Sequence, residues 1–102
     1  MTTPAKESVA ERRVSEWWDA RHGPGTRLKL NVQGNRGWPD QMYMIPGGRP
    51  FYIEFKRKGE VPRELQKYIH GILKERGYDV EVHDDAEQAI CAIQKRLGGS
   101  DK

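Results

Sequence analysis

The chain has a single cysteine, Cys91, among its 102 residues, so an intrachain disulfide is excluded. We expect this residue to lie in the core of the last helix. The chain has no apolar stretch long enough to span a membrane, and its N-terminus lacks a signal-peptide pattern, which predicts a cytoplasmic protein. A hydrophobic content of 35% allows only a thin core, which favours dimerisation. We expect one domain over residues 1–102, with frayed ends at 1–4 and 98–102.

Neither sign of charge dominates, since 18 Lys and Arg against 15 Asp and Glu give a net charge of +3. Such a mildly basic chain permits a polyanionic partner without requiring one. The distribution is more informative, because many basic residues precede residue 70 and flank an acidic motif: Arg12, Arg13, Arg21, Arg27, Lys29, Arg36, Lys56, Arg57, Lys58, Arg63 and Lys67. A nucleic-acid surface and an ordinary solvated basic face both fit this pattern.

Residues 37–56 have the pattern of a β-hairpin. Two short apolar runs, Met42–Ile45 and Phe51–Phe55, are joined by a turn rich in proline and glycine. Successive side chains of a strand point to opposite faces. In the second strand this alternation separates Phe51, Ile53 and Phe55 from Tyr52, Glu54 and Lys56. A carboxylate and an ammonium group on one strand face predict either a surface ion pair or a chemical site in a cleft.

The length of the hairpin loop decides where Asp40 lies. A three-residue loop at 46–48 puts Asp40 directly across from Glu54 on the same face, with Cβ atoms about 4.5–5.5 Å apart. A two-residue turn would put the two carboxylates on opposite faces, unless Asp40 lies in the bend before the strand. Two carboxylates this close repel unless a cation lies between them. A hard divalent ion such as Mg²⁺ suits such a site because it binds carboxylate and water oxygens.

Hydrophobic periodicity predicts the other elements. Helices are expected over about 4–22, from Pro62 to just before Gly77, and after Asp84 or Asp85. Strands are expected over 26–32 and 78–82. In the first strand, alternation directs Thr26, Leu28, Leu30 and Val32 inward and Arg27, Lys29 and Asn31 outward. The second helix is expected to bury Leu65, Ile69, Ile72 and Leu73. The order predicts an α/β fold, αβββαβα, with a mixed central sheet flanked by helices.

Pro39-Asp40 followed by Glu54-Phe55-Lys56 resembles the signature of PD-(D/E)XK nucleases. The wider pattern is similar to the virus-type replication-repair nuclease (VRR-NUC) family: Glu11 in the first helix, Gly37-Trp38-Pro39-Asp40, Ile53-Glu54-Phe55-Lys56, and Gln66 in the next helix. The resemblance spans residues 7 to 90 and implies a restriction-endonuclease-like core.

The resemblance implies a metal-dependent endodeoxyribonuclease. Mg²⁺, with Mn²⁺ as a substitute, would be held by Asp40, Glu54 and the backbone carbonyl of Phe55. Glu11 would extend this metal site, and Glu7 is the alternative helix carboxylate. Lys56 would hold or deprotonate the attacking water.

Further residues are expected around this centre. Gln66 would orient the lysine or touch the DNA backbone. Contacts with nucleic acid are expected from Lys29, Arg36, Arg57 and Lys58, although an exposed strand lysine explains Lys29 equally well. His70 and His83 have no second ligand at a metal spacing, so we interpret both as structural or exposed.

Small stand-alone members of the family resemble phage-encoded, homodimeric Holliday-junction resolvases. We therefore expect a Mg²⁺-dependent, structure-specific endonuclease that cuts branched DNA as a homodimer in a bacterial cell, encoded by a phage or prophage. A nicking or flap-type repair nuclease is an alternative, as is a non-catalytic basic DNA-binding module. A purely binding role is disfavoured, because phosphate contacts gain nothing from Asp40 and Glu54.

Overall fold

The computed structural model describes residues 8–30 and 34–98. Within these residues, seven elements follow one another: α1 (Val9–His22), β1 (Arg27–Lys29), β2 (Gln41–Tyr43), β3 (Phe51–Phe55), α2 (Glu64–Glu75), β4 (Asp79–His83) and α3 (Ala86–Arg96). This is the predicted order αβββαβα, and the predicted α/β class is confirmed.

The sheet has strand order β1-β2-β3-β4. The first three strands form an antiparallel meander, and β4 runs parallel to β3 after the crossover through α2. Both faces of the sheet are covered at β3, since α1 and α3 pack against one face and α2 packs against the other. For that reason all five residues of β3 are buried, whichever face they point to.

The larger core lies between the sheet and the α1–α3 pair. Trp18 is fully buried there beside Tyr43, and its indole Nε1 donates a hydrogen bond of 2.8 Å to Thr26 Oγ1. The smaller core lies under α2 and is built on Tyr52, Leu73 and Val80. The alternation predicted for the second hairpin strand is confirmed, because its odd-numbered side chains join the larger core and Tyr52 joins the smaller one.

The first helix and the first strand are shorter than predicted. Ser8 caps α1, accepting a hydrogen bond from the Glu11 backbone N–H, so the helix begins at Val9; positions 4–7 lie outside the described residues. The predicted strand 26–32 reduces to β1, and positions 31–33 also lie outside the described residues. The prediction that Leu28 points inward to the core was wrong, since it is 47% exposed. The reason is that α2 packs against β4, which leaves the β1 end of this face open.

The last two helices end and begin largely as predicted. Gly77 has a φ of 91° and terminates α2 in a Schellman arrangement, in which Tyr78 N donates to Leu73 O and Gly77 N donates to Lys74 O. The helix begins at Glu64, two residues later than predicted. At α3, Asp85 rather than Asp84 is the N-cap, and its side chain accepts from Gln88 N.

Two burial predictions for these helices were wrong. Leu65 is 43% exposed, because the first turn of α2 lies over the loop that contains Gly37 and not over the sheet. Cys91 is exposed on α3. Its apolar sequence neighbours do not share its helix face, since Ala89 and Ile93, two residues to either side, are turned toward the core. Within residues 8–30 and 34–98, no helix has the length and apolar character needed to cross a bilayer.

Candidate active site

A pocket of about 410 Å³ lies where β2 begins and β3 ends, and its wall includes α1 and the start of α2. Five predicted catalytic residues line it together: Glu11, Asp40, Glu54, Lys56 and Gln66. Phe55, Lys29, Arg36 and Arg57 line the same pocket. Lys58 lies in the exposed loop after β3, outside this lining. Residues separated by up to 55 positions in sequence therefore share one cleft.

The hairpin register brings Asp40 opposite Glu54, which is the register expected from a three-residue loop. The strand pairing runs from Tyr43↔Phe51 to Gln41↔Ile53, and one further step pairs position 40 with position 54. Regular pairing stops earlier than expected, so residues 44–50 form the connection. Asp40 is buried just before β2, where its Oδ2 accepts a hydrogen bond from Phe55 N at 2.7 Å and its backbone oxygen accepts one from Leu30 N at 2.7 Å.

The Glu54 carboxylate is 3% exposed and has three donor groups around it. Its Oε2 accepts from Gln66 Nε2 at 3.1 Å and lies 3.6 Å from Lys56 Nζ. Its Oε1 lies 3.9 Å from His70 Nε2, and neither of these two atoms has a hydrogen-bond partner among the described residues. The ion pair predicted on this strand face thus lies in a cleft, because the Lys56 side chain is only 13% exposed.

Gln66 forms its hydrogen bond in the pocket with Glu54 and not with Lys56. Its Oε1 accepts from Arg63 N at 2.8 Å, at the start of α2, and its Nε2 donates to Glu54. Gln66 was expected to orient Lys56, but its hydrogen bond goes to Glu54. This bond ties Glu54 to the N-terminus of α2. His70, one turn further along α2, is buried against the same carboxylate. Residues at i and i+4 of a helix share one face, so its spacing from Gln66 could have indicated that His70 lies on the side of α2 that faces the site.

Glu11 reaches the pocket from α1 and is also buried. Its Oε2 accepts from Gln41 Nε2 at 2.8 Å and lies 3.6 Å from Lys29 Nζ. Lys29 can make this contact because its strand face is the one that α1 covers. Gln41 was not among the predicted site residues. Its position directly after Asp40, as a polar residue that alternates with buried strand residues, was the feature that could have indicated it. The competing residue Glu7 lies outside the described residues.

Among the residues that the structure describes, five basic and four acidic side chains line the pocket. Arg63, which was not among the predicted DNA contacts, joins Lys29, Arg36 and Arg57 there. Basic groups suit the phosphate oxygens of a nucleic acid, while the acidic groups would repel them. A site with both signs of charge therefore fits a phosphate and a cation together better than it fits a phosphate alone.

The fit of these carboxylates to a metal ion depends on how many protein ligands the ion needs. In the part of the chain that the structure describes, no three His, Cys, Asp or Glu side chains converge closely enough to form a complete metal cage. Mg²⁺ does not need one, because it is commonly held by one or two carboxylates and keeps water and phosphate as further ligands. Asp40 and Glu54 supply hard oxygen donors at one pocket, and Glu54 Oε1 lacks a hydrogen-bond partner. The donor set therefore fits a hard divalent ion.

Gly37 shapes the turn that leads into Asp40. Its φ is +84°, and a Cβ on this residue would lie 2.7 Å from Leu65 Cγ and 3.0 Å from the Leu65 backbone oxygen. Glycine is therefore required here for two reasons: the backbone is left-handed, and α2 approaches the turn closely.

We expect Gly37→Ala to destabilise the chain by about 2–4 kcal/mol, because left-handed strain and a steric clash add. Gly34→Ala is the matched control: its φ is +97° but nothing lies within 4 Å of its Cβ position. That variant should lose only about 1 kcal/mol, from backbone strain alone. Urea denaturation measures both. Equal losses in the two variants would show that the approach of α2 contributes nothing.

The chain was also compared with known proteins. No protein-family model matches it, so the VRR-NUC assignment stays a prediction. The chain is 32% identical over 82 residues to "Putative nuclease p44" of Acyrthosiphon pisum secondary endosymbiont phage 1. The aligned region covers 80% of this chain and 85% of the phage protein, so the similarity extends far beyond a local motif. The chain therefore belongs to the same protein family as this phage protein.

Proposed function

We propose that the chain is a metal-dependent endodeoxyribonuclease of the VRR-NUC type. The observation that carries this proposal is the ion pair of the buried Glu54 with the largely covered Lys56, 3.6 Å apart, in the same pocket as Asp40. A purely structural ion pair would not need a second buried carboxylate beside it. The related phage protein bears a nuclease name, which supports the same class of activity.

The proposed cofactor is Mg²⁺, with Mn²⁺ able to replace it. Asp40 and Glu54 would hold the ion together with the Phe55 carbonyl, and Glu11 would act through water or on a second ion. Such an ion, when bound, neutralises phosphate charge, activates water and stabilises the leaving oxygen.

The protein's own groups divide the remaining work. Lys56 Nζ lies 3.6 Å from Glu54 Oε2, so its amine, when neutral, would hold the attacking water and accept its proton. Gln66 keeps Glu54 in place from the side of α2 by a hydrogen bond, and His70 lies 3.9 Å from the same carboxylate. Lys29 and the arginines of the pocket lining would contact phosphates on either side of the scissile bond. This division positions the substrate and the nucleophile before any bond changes.

The proposed substrate is DNA, preferably branched, cut by a homodimer in the cytoplasm of a bacterial cell. Two copies related by a two-fold axis would present two equivalent sites, as paired cuts in a symmetric junction require. A nicking or flap-cutting repair nuclease is the second candidate, because each pocket carries its own catalytic groups and needs no partner for a single cut.

The test uses end-labelled four-way junction, flap and linear duplex DNA, each incubated with Mg²⁺, with Mn²⁺ and with EDTA. We expect cleavage with either metal, none with EDTA, and faster cutting of the junction than of the duplex. Binding without cleavage under all conditions would leave a DNA-binding module. Equal cutting of junction and duplex would remove the resolvase proposal but keep the nuclease, and light scattering that shows only monomers would remove paired cutting.

A further inference from the structure

A hydrogen-bonded network of buried polar side chains connects β2 with α1 behind the pocket. Gln41 is fully buried, and its amide nitrogen donates two hydrogen bonds, to Glu11 Oε2 at 2.8 Å and to Ser15 Oγ at 2.7 Å. Its amide oxygen accepts from the Tyr43 hydroxyl at 2.9 Å. Ser15 Oγ donates in turn to the Glu11 backbone oxygen at 2.9 Å. Both amide protons and the amide oxygen of Gln41 therefore have partners.

The direction of each hydrogen bond in this network is fixed. An ionised carboxylate only accepts, so the NH₂ group of Gln41 must face Glu11 and its oxygen must face Tyr43. Burial, reinforced by the nearby charge of Glu11, raises the pKa of the Tyr43 hydroxyl, which keeps it a donor. A flipped amide would turn its oxygen toward Glu11 and leave two acceptors in contact. Only one arrangement satisfies every member, and such a network rigidifies its members.

The network ends on a group of the pocket. Glu11 lines the cleft, and the same Oε2 that accepts from Gln41 lies 3.6 Å from Lys29 Nζ on the solvent side. One carboxylate oxygen is thus held from both sides. Because Gln41 is fully buried, a substrate cannot touch it, and any effect on catalysis must pass through Glu11.

We propose that Gln41 is a positioning residue that aims the Glu11 carboxylate into the pocket, with the Tyr43 hydroxyl orienting the amide. This inference rests on the proposed nuclease function. Partners that orient catalytic or metal-binding groups contribute about 10- to 100-fold to affinity or activity. We expect a dependence of that size, and we expect it only while Glu11 keeps its charge.

The test is a double-mutant cycle in single-turnover DNA cleavage. Gln41→Leu should slow cleavage by about 10- to 100-fold in the parent. In a Glu11→Gln background the same change should slow cleavage less than about 2-fold, because the group being aimed is already lost. Tyr43→Phe, which removes only the orienting hydroxyl, should slow cleavage by a smaller factor. It also keeps the test open if the leucine variant does not fold.

Val14→Ala is the matched control for stability, because Val14 is fully buried on α1 but takes no part in the hydrogen-bonded network. It should lower the melting temperature and leave the cleavage rate of the folded protein unchanged. A Gln41→Leu protein that is folded and cuts like the parent would overturn the proposal. So would an equal loss in both backgrounds of the cycle, since Gln41 would then act independently of Glu11.

A measurement that does not depend on cleavage tests the hydrogen-bonded network separately from the proposed function. In the ¹⁵N spectrum of the parent, the side-chain amide protons of Gln41 should exchange slowly with solvent, and Glu11→Gln should shift their resonances. If the parent cuts no DNA and these signals behave as described, the nuclease function fails and the positioning role fails with it, leaving a structural network. Rapid exchange of the two protons would overturn the network itself.

Discussion

We expect Lys56→Met to slow DNA cleavage by about 10³-fold, within the range expected when a positioned acid–base group is removed. The amine lies 3.6 Å from Glu54 in a pocket that also contains Asp40, where it can hold the attacking water and take its proton. Methionine keeps the apolar stem that is largely buried in the cleft and removes the ammonium group. Single-turnover cleavage at saturating Mg²⁺ measures the chemical step.

Two further variants decide how Lys56 acts. Lys58→Met makes the same chemical change two residues later, outside the pocket lining, and should slow cleavage less than about 3-fold, as a phosphate contact at most. Lys56→Arg keeps the positive charge but cannot give up its proton. If Lys56 is the base, arginine fails as methionine does. If it acts only through charge, arginine restores much of the rate. A Lys56→Met protein that cuts within threefold of the parent would remove Lys56 from the chemistry.

The part of the site that sequence could predict is the part set by local geometry. The alternation of Phe51–Phe55 and the glycine-rich turn limit the hairpin to two registers, and the register that the structure has brings Asp40 opposite Glu54. Gly37 and the cap at Gly77 were predictable for the same reason, because a left-handed backbone has a residue signature. Such features depend on positions close in sequence.

The features that sequence missed depend on which helix covers which strand. Periodicity groups residues by face, but it does not say that α2 stops short of β1, so Leu28 was expected in the core. Gln41 and His70 have polar side chains of the kind found on surfaces. Burying a polar side chain is unfavourable without a polar partner, and the partners, Glu11 for Gln41 and Glu54 for His70, are known only from the structure. A local sequence pattern could not reveal these partners, because Glu11 lies 30 positions from Gln41 and Glu54 lies 16 positions from His70.

Asp40→Asn offers the cleanest separation of charge from structure. The Asp40 side chain accepts a hydrogen bond of 2.7 Å from Phe55 N, and an asparagine oxygen can accept the same bond. We expect the folding free energy to change by less than about 1 kcal/mol, as for one neutral hydrogen bond in place of a charged one. The cleavage rate should fall at least about 100-fold, because one of the two carboxylates proposed to hold the metal has lost its charge.

Asp40→Ala completes the comparison, because it removes the charge and the hydrogen-bond acceptor together. The buried Phe55 N–H then has no partner from this side chain, which should cost about 1–3 kcal/mol beyond the asparagine variant in urea denaturation. Both variants should need more Mn²⁺ for half-maximal cleavage than the parent. If asparagine cuts as fast as aspartate at every metal concentration, the charge at position 40 has no catalytic role. If alanine and asparagine are equally stable, the bond to Phe55 does not hold this edge of the site.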